Sequence, residues 1–158
     1  MFELCVNEAR FGLARVLPIL LSFNPQTVEV LEVGAGPCIL AAYLASKGLH
    51  VTAVEPLGQE FDFLADLQVR VLEFCRSNSI ELKLVRAEGE QLDLPSRFDV
   101  AFTINSLEHM REPLLVIDNM YNSLKSGGIL CHEYRRSKRR CVIVREKEGP
   151  SAPSIRLT

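Results

Sequence analysis

Short apolar runs alternate with amphipathic stretches along most of the chain. Five runs are rich in β-branched or aromatic residues, which predicts strands over residues 28–33, 51–54, 80–85, 98–104 and 129–134. Apolar positions at helical spacing predict helices over residues 2–22, 37–47, 57–78 and 113–125. This alternation predicts an open, doubly wound, mostly parallel α/β sheet with helices on both faces. A ligand of such a sheet lies beyond the carboxyl ends of the strands, beside the first strand.

The composition is that of a globular domain. The chain has 158 residues, of which 47% are hydrophobic and 24% charged, which excludes a disordered, collagen-like or membrane-spanning chain. The apolar run at residues 16–23 is too short to span a bilayer, and Glu3 and Glu8 before it argue against a signal peptide. Five cysteines and three histidines are scattered without metal-ligand spacing, so we expect reduced thiols, no metal site and a cytoplasmic location.

Charge divides the chain into two unlike segments. Residues 1–134 carry 10 Lys and Arg against 18 Asp and Glu, a net charge of −8, whereas residues 135–158 carry eight against two, a net charge of +6. We therefore divide the chain into a core, residues 1–134, and a basic, partly disordered tail, residues 135–158, in which residues 141–144 could form one strand and residues 149–153 have the composition of a disordered segment. The tail fits a shortened C-terminus or a solvated extension better than a nucleic-acid contact, because no aromatic residues interleave with its cations.

The turn after the first predicted strand carries the strongest chemical signal. Gly34 and Gly36 permit positive φ and a close approach of backbone to a ligand, and the following helix begins with free N–H groups. Glu55 ends the second strand, where a carboxylate can accept hydrogen bonds from ribose hydroxyls. A third glycine of the dinucleotide fingerprint would fall at Ile39, so that pattern fails. Glu32 instead suits a ligand with a positive charge, such as an α-ammonium or a sulfonium.

Five segments in register resemble one known family. They are Glu32-Val-Gly-Ala-Gly, Val-Thr-Ala-Val-Glu55, Ala87-Glu-Gly-Glu-Gln-Leu92, the run from Phe98 to His109, and Leu124-Lys-Ser-Gly-Gly128. Together they resemble the motifs of class I S-adenosylmethionine-dependent methyltransferases, which have a Rossmann-like fold. The Leu-Glu-His segment at residues 107–109 is similar to that of small-molecule methyltransferases related to quinone-biosynthesis enzymes. Cys38 departs from the pattern, because many members have a third glycine there.

The resemblance implies roles for individual residues, with S-adenosyl-L-methionine as the cofactor. Glu32 would orient the methionine ammonium, and the backbone of Gly34, Ala35 and Gly36 would lie under the methionine and ribose. Glu55 would bind the ribose hydroxyls. Glu88 and Gly89 would contact the adenine, and Asn105 would lie at the methionine end. Leu57 is placed either to flank the adenine or simply to begin a helix.

A general base is required only when the acceptor must lose a proton. His109 follows the fourth strand and is the first candidate, although an imidazole there could equally pack at the start of the next helix. Glu108 is the weaker alternative, since a carboxylate at a helix start is favoured by the helix dipole.

These observations predict methyl transfer to a small-molecule acceptor. The alternative is a catalytically silent, truncated homologue that acts as a cofactor-binding or interaction module. A nucleotide-dependent oxidoreductase is disfavoured by the absent third glycine. Members of the family continue with a helix and an antiparallel pair of strands, which need more residues than follow residue 134. We therefore expect part of that strand pair to be lacking. The uncovered sheet edge then favours a homodimer, and we expect neither a membrane nor a nucleic-acid partner.

Overall fold

The computed structural model describes residues 2–57, 64–136 and 139–148. Six strands form one sheet in the order β3-β2-β1-β4-β5-β6. The strands are β1 (Glu29–Val33), β2 (His50–Val54), β3 (Leu82–Val85), β4 (Phe98–Thr103), β5 (Leu124–Arg136) and β6 (Arg139–Glu146). All neighbouring pairs are parallel except β5 and β6, which confirms the predicted mostly parallel sheet.

Helices cover both faces of the sheet. They are α1 (Phe2–Leu20), α2 (Ile39–Ser46), α3 (Ala65–Ser77) and α4 (Pro113–Ser123). The first three pack over one core with alternate side chains of β1, β2 and β4, among them Val30 and Phe102. The second core lies on the opposite face, where α4 packs over Leu31 and Leu130. Each central strand is thus buried on both faces, as the nearly continuous apolar run of β4 predicts for that strand.

Helix boundaries differ from the prediction by a few residues, and α2 begins at Ile39 where the prediction began at residue 37. Helix α1 ends at Leu20 and contains Pro18 in its last turn. Helix α3 is described from Ala65, and residues 58–63 of the predicted helix lie outside the described residues. Helix α4 ends at Ser123 instead of continuing to Lys125, because the fully buried Leu124 already pairs with Phe98 as the first residue of β5.

The sheet continues beyond residue 134. Strand β5 extends to Arg136, and β6 pairs with it in antiparallel register from Arg139 to Glu146, where the sequence predicted at most one strand over residues 141–144. Reciprocal backbone bonds between Gly127 N and Lys147 O (2.8 Å) and between Lys147 N and Gly128 O (2.7 Å) lengthen the ladder. Within the described residues, β6 is the strand that follows β5. The predicted disorder at residues 149–153 falls outside the described residues.

The described helices do not include one with the length and apolar character required to cross a membrane. Cys5, Cys38, Cys75 and Cys131 are buried free thiols.

Candidate functional site

A cavity of about 630 Å³ opens at the carboxyl ends of β1, β2 and β4. This is the place where β1 separates the two halves of the doubly wound sheet, and where ligands of such folds bind. Nine residues to which the sequence gave cofactor-binding or base roles line this cavity, whereas the further candidates Leu57 and Glu108 are not in its lining: Glu32, Gly34, Ala35, Gly36, Glu55, Glu88, Gly89, Asn105 and His109. The fold thus brings together residues up to 77 positions apart in the sequence. Their individual roles stay predictions.

The loop after β1 depends on glycine at two positions. Gly34 has φ 74° and Gly36 has φ 50°, in the left-handed region that favours glycine. Gly34 N and Ala35 N both donate to Val54 O, at 2.9 and 3.2 Å, which holds the loop against the end of β2. A Cβ on Gly34 would collide with the Ser106 hydroxyl. A side chain at residue 34 would therefore push apart the two loops that form the cavity floor.

Cys38 occupies a position that suits glycine. It is fully buried, has φ 61°, and directly precedes α2. Its Sγ lies 3.7 Å from Gly36 O and 3.6 Å from Gln68 Nε2, which itself donates to Gly36 O at 2.7 Å. Burial, reinforced by the charges of Glu32 and Glu55, raises the pKa of the Cys38 thiol to about 12. The thiol is therefore protonated and fills space beneath the loop.

Glu55 joins the loops that follow β1 and β2. Its carboxylate is buried and accepts from Gly36 N at 2.7 Å and from Leu57 N at 3.0 Å, one bond to each oxygen. A carboxylate can accept about four hydrogen bonds, so about two acceptor positions remain for a ligand with paired hydroxyls. Leu57 contributes its backbone here, while the neighbouring Pro56 and Leu64 line the cavity.

Glu32 is a buried carboxylate with one oxygen unsatisfied. It is 6% exposed, and its Oε2 has no hydrogen-bond partner although it lies in the cavity wall. Burial raises the pKa of Glu32 to about 8; the backbone N–H of Ala41 opposes this shift and the charge of Glu55 adds to it. Buried polar atoms in folded proteins are nearly always paired. The site therefore lacks a donor, and a positively charged one would return Glu32 to its ionised form.

The loop after β3 is fastened to α4 and to the segment before it. Asn119 Nδ2 donates to Gly89 O at 3.2 Å and to Glu90 O at 3.1 Å. Glu90 Oε1 accepts from Arg111 N at 2.9 Å, and the Arg111 guanidinium lies 3.3 Å from Glu88 Oε1. Gly89 is buried, and a Cβ there would lie 2.8 Å from Val116 Cγ1. This packing holds Glu88 at the cavity wall.

The loop after β4 closes the cavity on the other side. Asn105 has φ 52°, and Ser106 Oγ lies 2.5 Å from Thr103 Oγ1 and 3.4 Å from Val33 O. His109 ends the following 3₁₀ turn, is exposed, and borders the cavity. Glu108 is also exposed and lies outside the described cavity lining. Of the two candidate bases, only His109 borders this cavity.

Sequence reasoning missed one wall of the cavity. Helix α1 contributes Leu4, Cys5, Glu8 and Ala9 to the lining. The signal in the sequence is Gly12, which is buried inside the helix where a Cβ would lie 2.8 Å from Leu40 Cδ2. A helix glycine that permits such a close approach indicates that α1 packs tightly against α2.

Comparison with known proteins identifies relatives of this chain. A family model described as a methyltransferase domain matches residues 31–132. An uncharacterised protein of Mycobacterium tuberculosis is 32% identical over 113 residues, which cover 70% of this chain and 38% of that protein. Ubiquinone biosynthesis O-methyltransferase of Pseudomonas entomophila is 34% identical over 101 residues, 63% of this chain and 41% of that enzyme. The chain spans about two-fifths of the length of these curated relatives.

Solved structures share the fold. One is the 1,6-didemethyltoxoflavin-N1-methyltransferase of Burkholderia thailandensis, solved with 1,6-didemethyltoxoflavin and S-adenosylhomocysteine. Its TM-score is 0.62 at 18% sequence identity, and the matched region covers 90% of this chain and 62% of that enzyme's chain. The [4+2]-cyclase SpnF has a TM-score of 0.61 at 22% sequence identity, and the matched region covers 79% of this chain and 43% of the SpnF chain. At these identities the likeness shows the fold alone.

Proposed function

The chain belongs to the methyltransferase domain family, and from that premise we propose that it binds S-adenosylmethionine and methylates a small-molecule acceptor. The observation that carries the proposal is the buried, unsatisfied Oε2 of Glu32 in the cavity wall. A cofactor with an α-ammonium and a sulfonium supplies the missing positive charge. The relatives named above include a ubiquinone-biosynthesis methyltransferase, which supports a small-molecule acceptor.

The residues of the cavity fit this cofactor at three further places. Gly34 to Gly36 expose backbone that can lie under the methionine and ribose, because no Cβ intervenes at residue 34 or 36. Glu55 keeps acceptor capacity for the ribose hydroxyls beyond its two backbone bonds. Glu88 and the Gly89 N–H lie on the wall that would face adenine.

When bound, the cofactor supplies a methyl group on a sulfonium with a good leaving group, so the protein contributes mainly proximity and orientation. Glu32 holds the ammonium, Glu55 holds the ribose, and the backbone around Asn105 closes over the methionine end. His109 accepts a proton at an imidazole nitrogen when the acceptor is a hydroxyl or phenol.

The test is calorimetric titration of the full chain with S-adenosylhomocysteine. We expect binding that Glu32→Gln and Glu55→Ala each weaken by about tenfold or more, since each removes a charge-assisted contact of about 1.5–3 kcal/mol. Glu73→Gln, an exposed carboxylate on α3, is the control and should bind like the wild type. Absence of binding at millimolar ligand would refute the proposal.

The second candidate is a cofactor-binding domain without methyl transfer. The structural likeness to a [4+2]-cyclase supports this second candidate, because that likeness indicates that one fold serves unrelated chemistry. A labelled methyl donor incubated with a broad set of acceptors separates the two. Cofactor binding without any labelled product supports the second candidate, and labelled product supports the first.

A further inference from the structure

Gln68 is a buried polar side chain outside the assigned cofactor contacts. It lies on α3, is 0% exposed, and its Nε2 donates to Gly36 O at 2.7 Å. The two residues are 32 positions apart in the sequence. This bond therefore joins α3 to the loop after β1, which forms part of the cavity wall.

The amide of Gln68 has hydrogen-bond partners on its nitrogen side alone. Nε2 also lies 3.6 Å from Cys38 Sγ, whereas Oε1 is buried and has no partner. A buried amide oxygen without a donor is costly, and an apolar side chain of similar size would fill the space without that cost. The bond to Gly36 O is what an apolar side chain could not supply, because a carbonyl needs a donor.

Gly36 is held by two side chains from different elements. Its N–H donates to Glu55 Oε2 at 2.7 Å, and its carbonyl accepts from Gln68 Nε2 at the same distance. One bond fixes the peptide group before Gly36 and the other fixes the peptide group after it. Glycine has the greatest backbone freedom of any residue, and Gly36 lies in the left-handed region with φ 50°. The two bonds together keep the Gly36 N–H aimed at Glu55.

The orientation of the Glu55 carboxylate depends on that N–H. Glu55 Oε2 accepts from Gly36 N, and Oε1 accepts from Leu57 N at 3.0 Å. A carboxylate held between two backbone donors keeps one plane, so its remaining acceptor positions have fixed directions. A ligand hydroxyl then binds without the loss of side-chain freedom that a mobile carboxylate would undergo.

Helix α3 supports the same loop through a second residue. Leu64 lies four residues before Gln68, and a Cβ added to Gly36 would lie 3.7 Å from Leu64 Cδ1. Leu64 lines the cavity, whereas Gln68 is not part of the described lining. Gln68 therefore acts on a ligand through Gly36 and Glu55.

We propose that Gln68 is a positioning residue, which holds the Gly36 peptide so that Glu55 selects a ligand with a 2′-hydroxyl on its ribose over the deoxyribose form. The inference rests on the proposed function, because that function assigns the ribose to Glu55. It adds a residue on α3 and the ligand property that this residue controls.

The test measures the ratio of two affinities. The full chain is titrated in a calorimeter with S-adenosylhomocysteine and with its 2′-deoxy analogue. We expect the wild type to prefer S-adenosylhomocysteine by about tenfold or more, which is the value of a hydrogen bond to a charged group. Gln68→Leu should reduce this preference by about three- to tenfold, which corresponds to the cost of immobilising one side chain. An unchanged preference in Gln68→Leu would overturn the role of Gln68.

Cys75→Ala controls for a general loosening of α3. Cys75 is 3% exposed and lies seven residues after Gln68, which is about two helical turns and therefore the same side of the helix. It does not line the cavity. Its truncation should lower the free energy of unfolding while the preference for the 2′-hydroxyl stays as in the wild type. An equal loss of preference in Cys75→Ala would overturn the specific role of Gln68.

Gln68→Glu tests the hydrogen bond itself, because a carboxyl group can donate to Gly36 O only when it is protonated. Burial raises the pKa of such a carboxyl, so we expect a preference near that of the wild type at about pH 5.5 and a lower one at about pH 8.5. The charged groups that act on the neighbouring Cys38 thiol are Glu32, Glu55 and Arg86. They are present in the wild type too, whose ratio over the same pH range measures their effect. A ratio in Gln68→Glu that follows the wild-type profile, or that stays low at every pH, would overturn the inference.

The wild-type titrations separate the two proposals. If S-adenosylhomocysteine does not bind, the proposed function fails and the inference fails with it. If it binds without preference over the 2′-deoxy analogue, the ribose contact of Glu55 fails and so does the inference. If the wild type prefers S-adenosylhomocysteine and Gln68→Leu keeps that preference, the inference fails alone.

Discussion

At the scale of residues, the loop after β1 is shaped by backbone conformations that only some side chains tolerate. Gly34 and Gly36 have positive φ, and so does Cys38, at the position where the resemblance predicts a third glycine. Cys38 accepts a left-handed conformation that costs a non-glycine residue about 1–2 kcal/mol. Its fully buried side chain packs beneath the loop, and this packing offsets part of the cost.

Gly34→Ala should weaken S-adenosylhomocysteine binding by about ten- to a hundredfold, because the added methyl collides with Ser106 and displaces the loop after β4. Calorimetry of the variant measures this loss. Gly48→Ala is the matched control, since Gly48 has φ 87° and a Cβ added there would have no atom within 4 Å. It should cost about 1–2 kcal/mol of stability while ligand affinity stays unchanged. Equal loss of affinity in both variants would contradict the steric explanation.

Glu32 makes ligand affinity depend on pH. Its pKa of about 8 means that the carboxylate is mostly protonated below that pH in the free protein, whereas an ammonium ligand requires the ionised form. S-Adenosylhomocysteine affinity should therefore rise by up to about tenfold per pH unit between about pH 6 and pH 8. Glu32→Gln should bind more weakly and with a nearly flat profile over this range. A wild-type profile as flat as that of the variant would show that Glu32 does not contact the ammonium.

At the scale of elements, the 3₁₀ turn Gly89–Gln91 illustrates how a cavity wall is held in place from outside. Asn119 on α4 donates from one amide nitrogen to two carbonyls of this segment, those of Gly89 and Glu90. The turn carries no regular ladder of its own, so these two bonds and the packing of Gly89 against Val116 keep Glu88 on the wall.

Asn119→Ala should lower the free energy of unfolding by about 1–2 kcal/mol, because two backbone carbonyls lose their donor. It should also weaken S-adenosylhomocysteine binding, since the wall that carries Glu88 is released. Chemical denaturation and calorimetry report the two effects. Asn122→Ala, an exposed residue of the same helix, should change neither; a similar loss there would indicate that helix propensity and not the carbonyl contacts is responsible.

Most strands and helices were predictable from the sequence, whereas strand β6 and the exact end of α4 were not. Strands β1, β2 and β4 are buried on both faces, and their short runs rich in apolar and β-branched residues identified them. Strand β6 begins in a basic segment that resembles a solvated tail, and its structure comes from main-chain pairing with β5, which sequence composition does not report. The same limit explains why helix α4 was predicted two residues too long at Lys125, where pairing with β4 takes precedence over the helical pattern.

The site residues that lie within short sequence motifs could be predicted from the sequence. Glu32, the glycines and Glu55 each lie at a strand end within a short motif, and the sheet brings those ends together. The Arg111 contact with Glu88 joins two loops 23 residues apart, and the place of Glu8 at the cavity depends on how α1 packs against α2. Neither leaves a periodic signal in the sequence.

At the scale of the whole molecule, two buried titratable groups act on stability in opposite directions. His132 on β5 is 3% exposed, and neither ring nitrogen has a hydrogen-bond partner. Burial, with the charge of Arg145 adding to it, lowers the pKa of His132. Glu32 has a raised pKa, so its contribution to stability is present below pH 4.5 and is lost as the pH rises through about 8.

His132 should make the protein less stable in mild acid. Its folded pKa lies below the unfolded value of 6.5, so its contribution is present above that pH and is lost as the pH falls through the folded value. The His132 contribution to the free energy of unfolding should decrease by up to about 1.4 kcal/mol per pH unit below about pH 6.5, while the Glu32 contribution increases over the same range, so the difference in slope between the wild type and His132→Gln reports His132. Denaturation at a series of pH values measures the slope. His132→Gln should reduce it, while His50→Gln, at an exposed histidine, should retain it; an unchanged slope in His132→Gln would assign the acid sensitivity to other groups.

The central claim is that the cavity at the strand ends binds S-adenosylmethionine through buried carboxylates. A crystal structure of the full chain with S-adenosylhomocysteine measures this directly. We expect the α-ammonium within hydrogen-bond distance of Glu32 Oε2 and the ribose hydroxyls on Glu55, with Gly34 to Gly36 beneath them. A ligand that lies elsewhere, or one that leaves Glu32 Oε2 without a donor, would contradict the account.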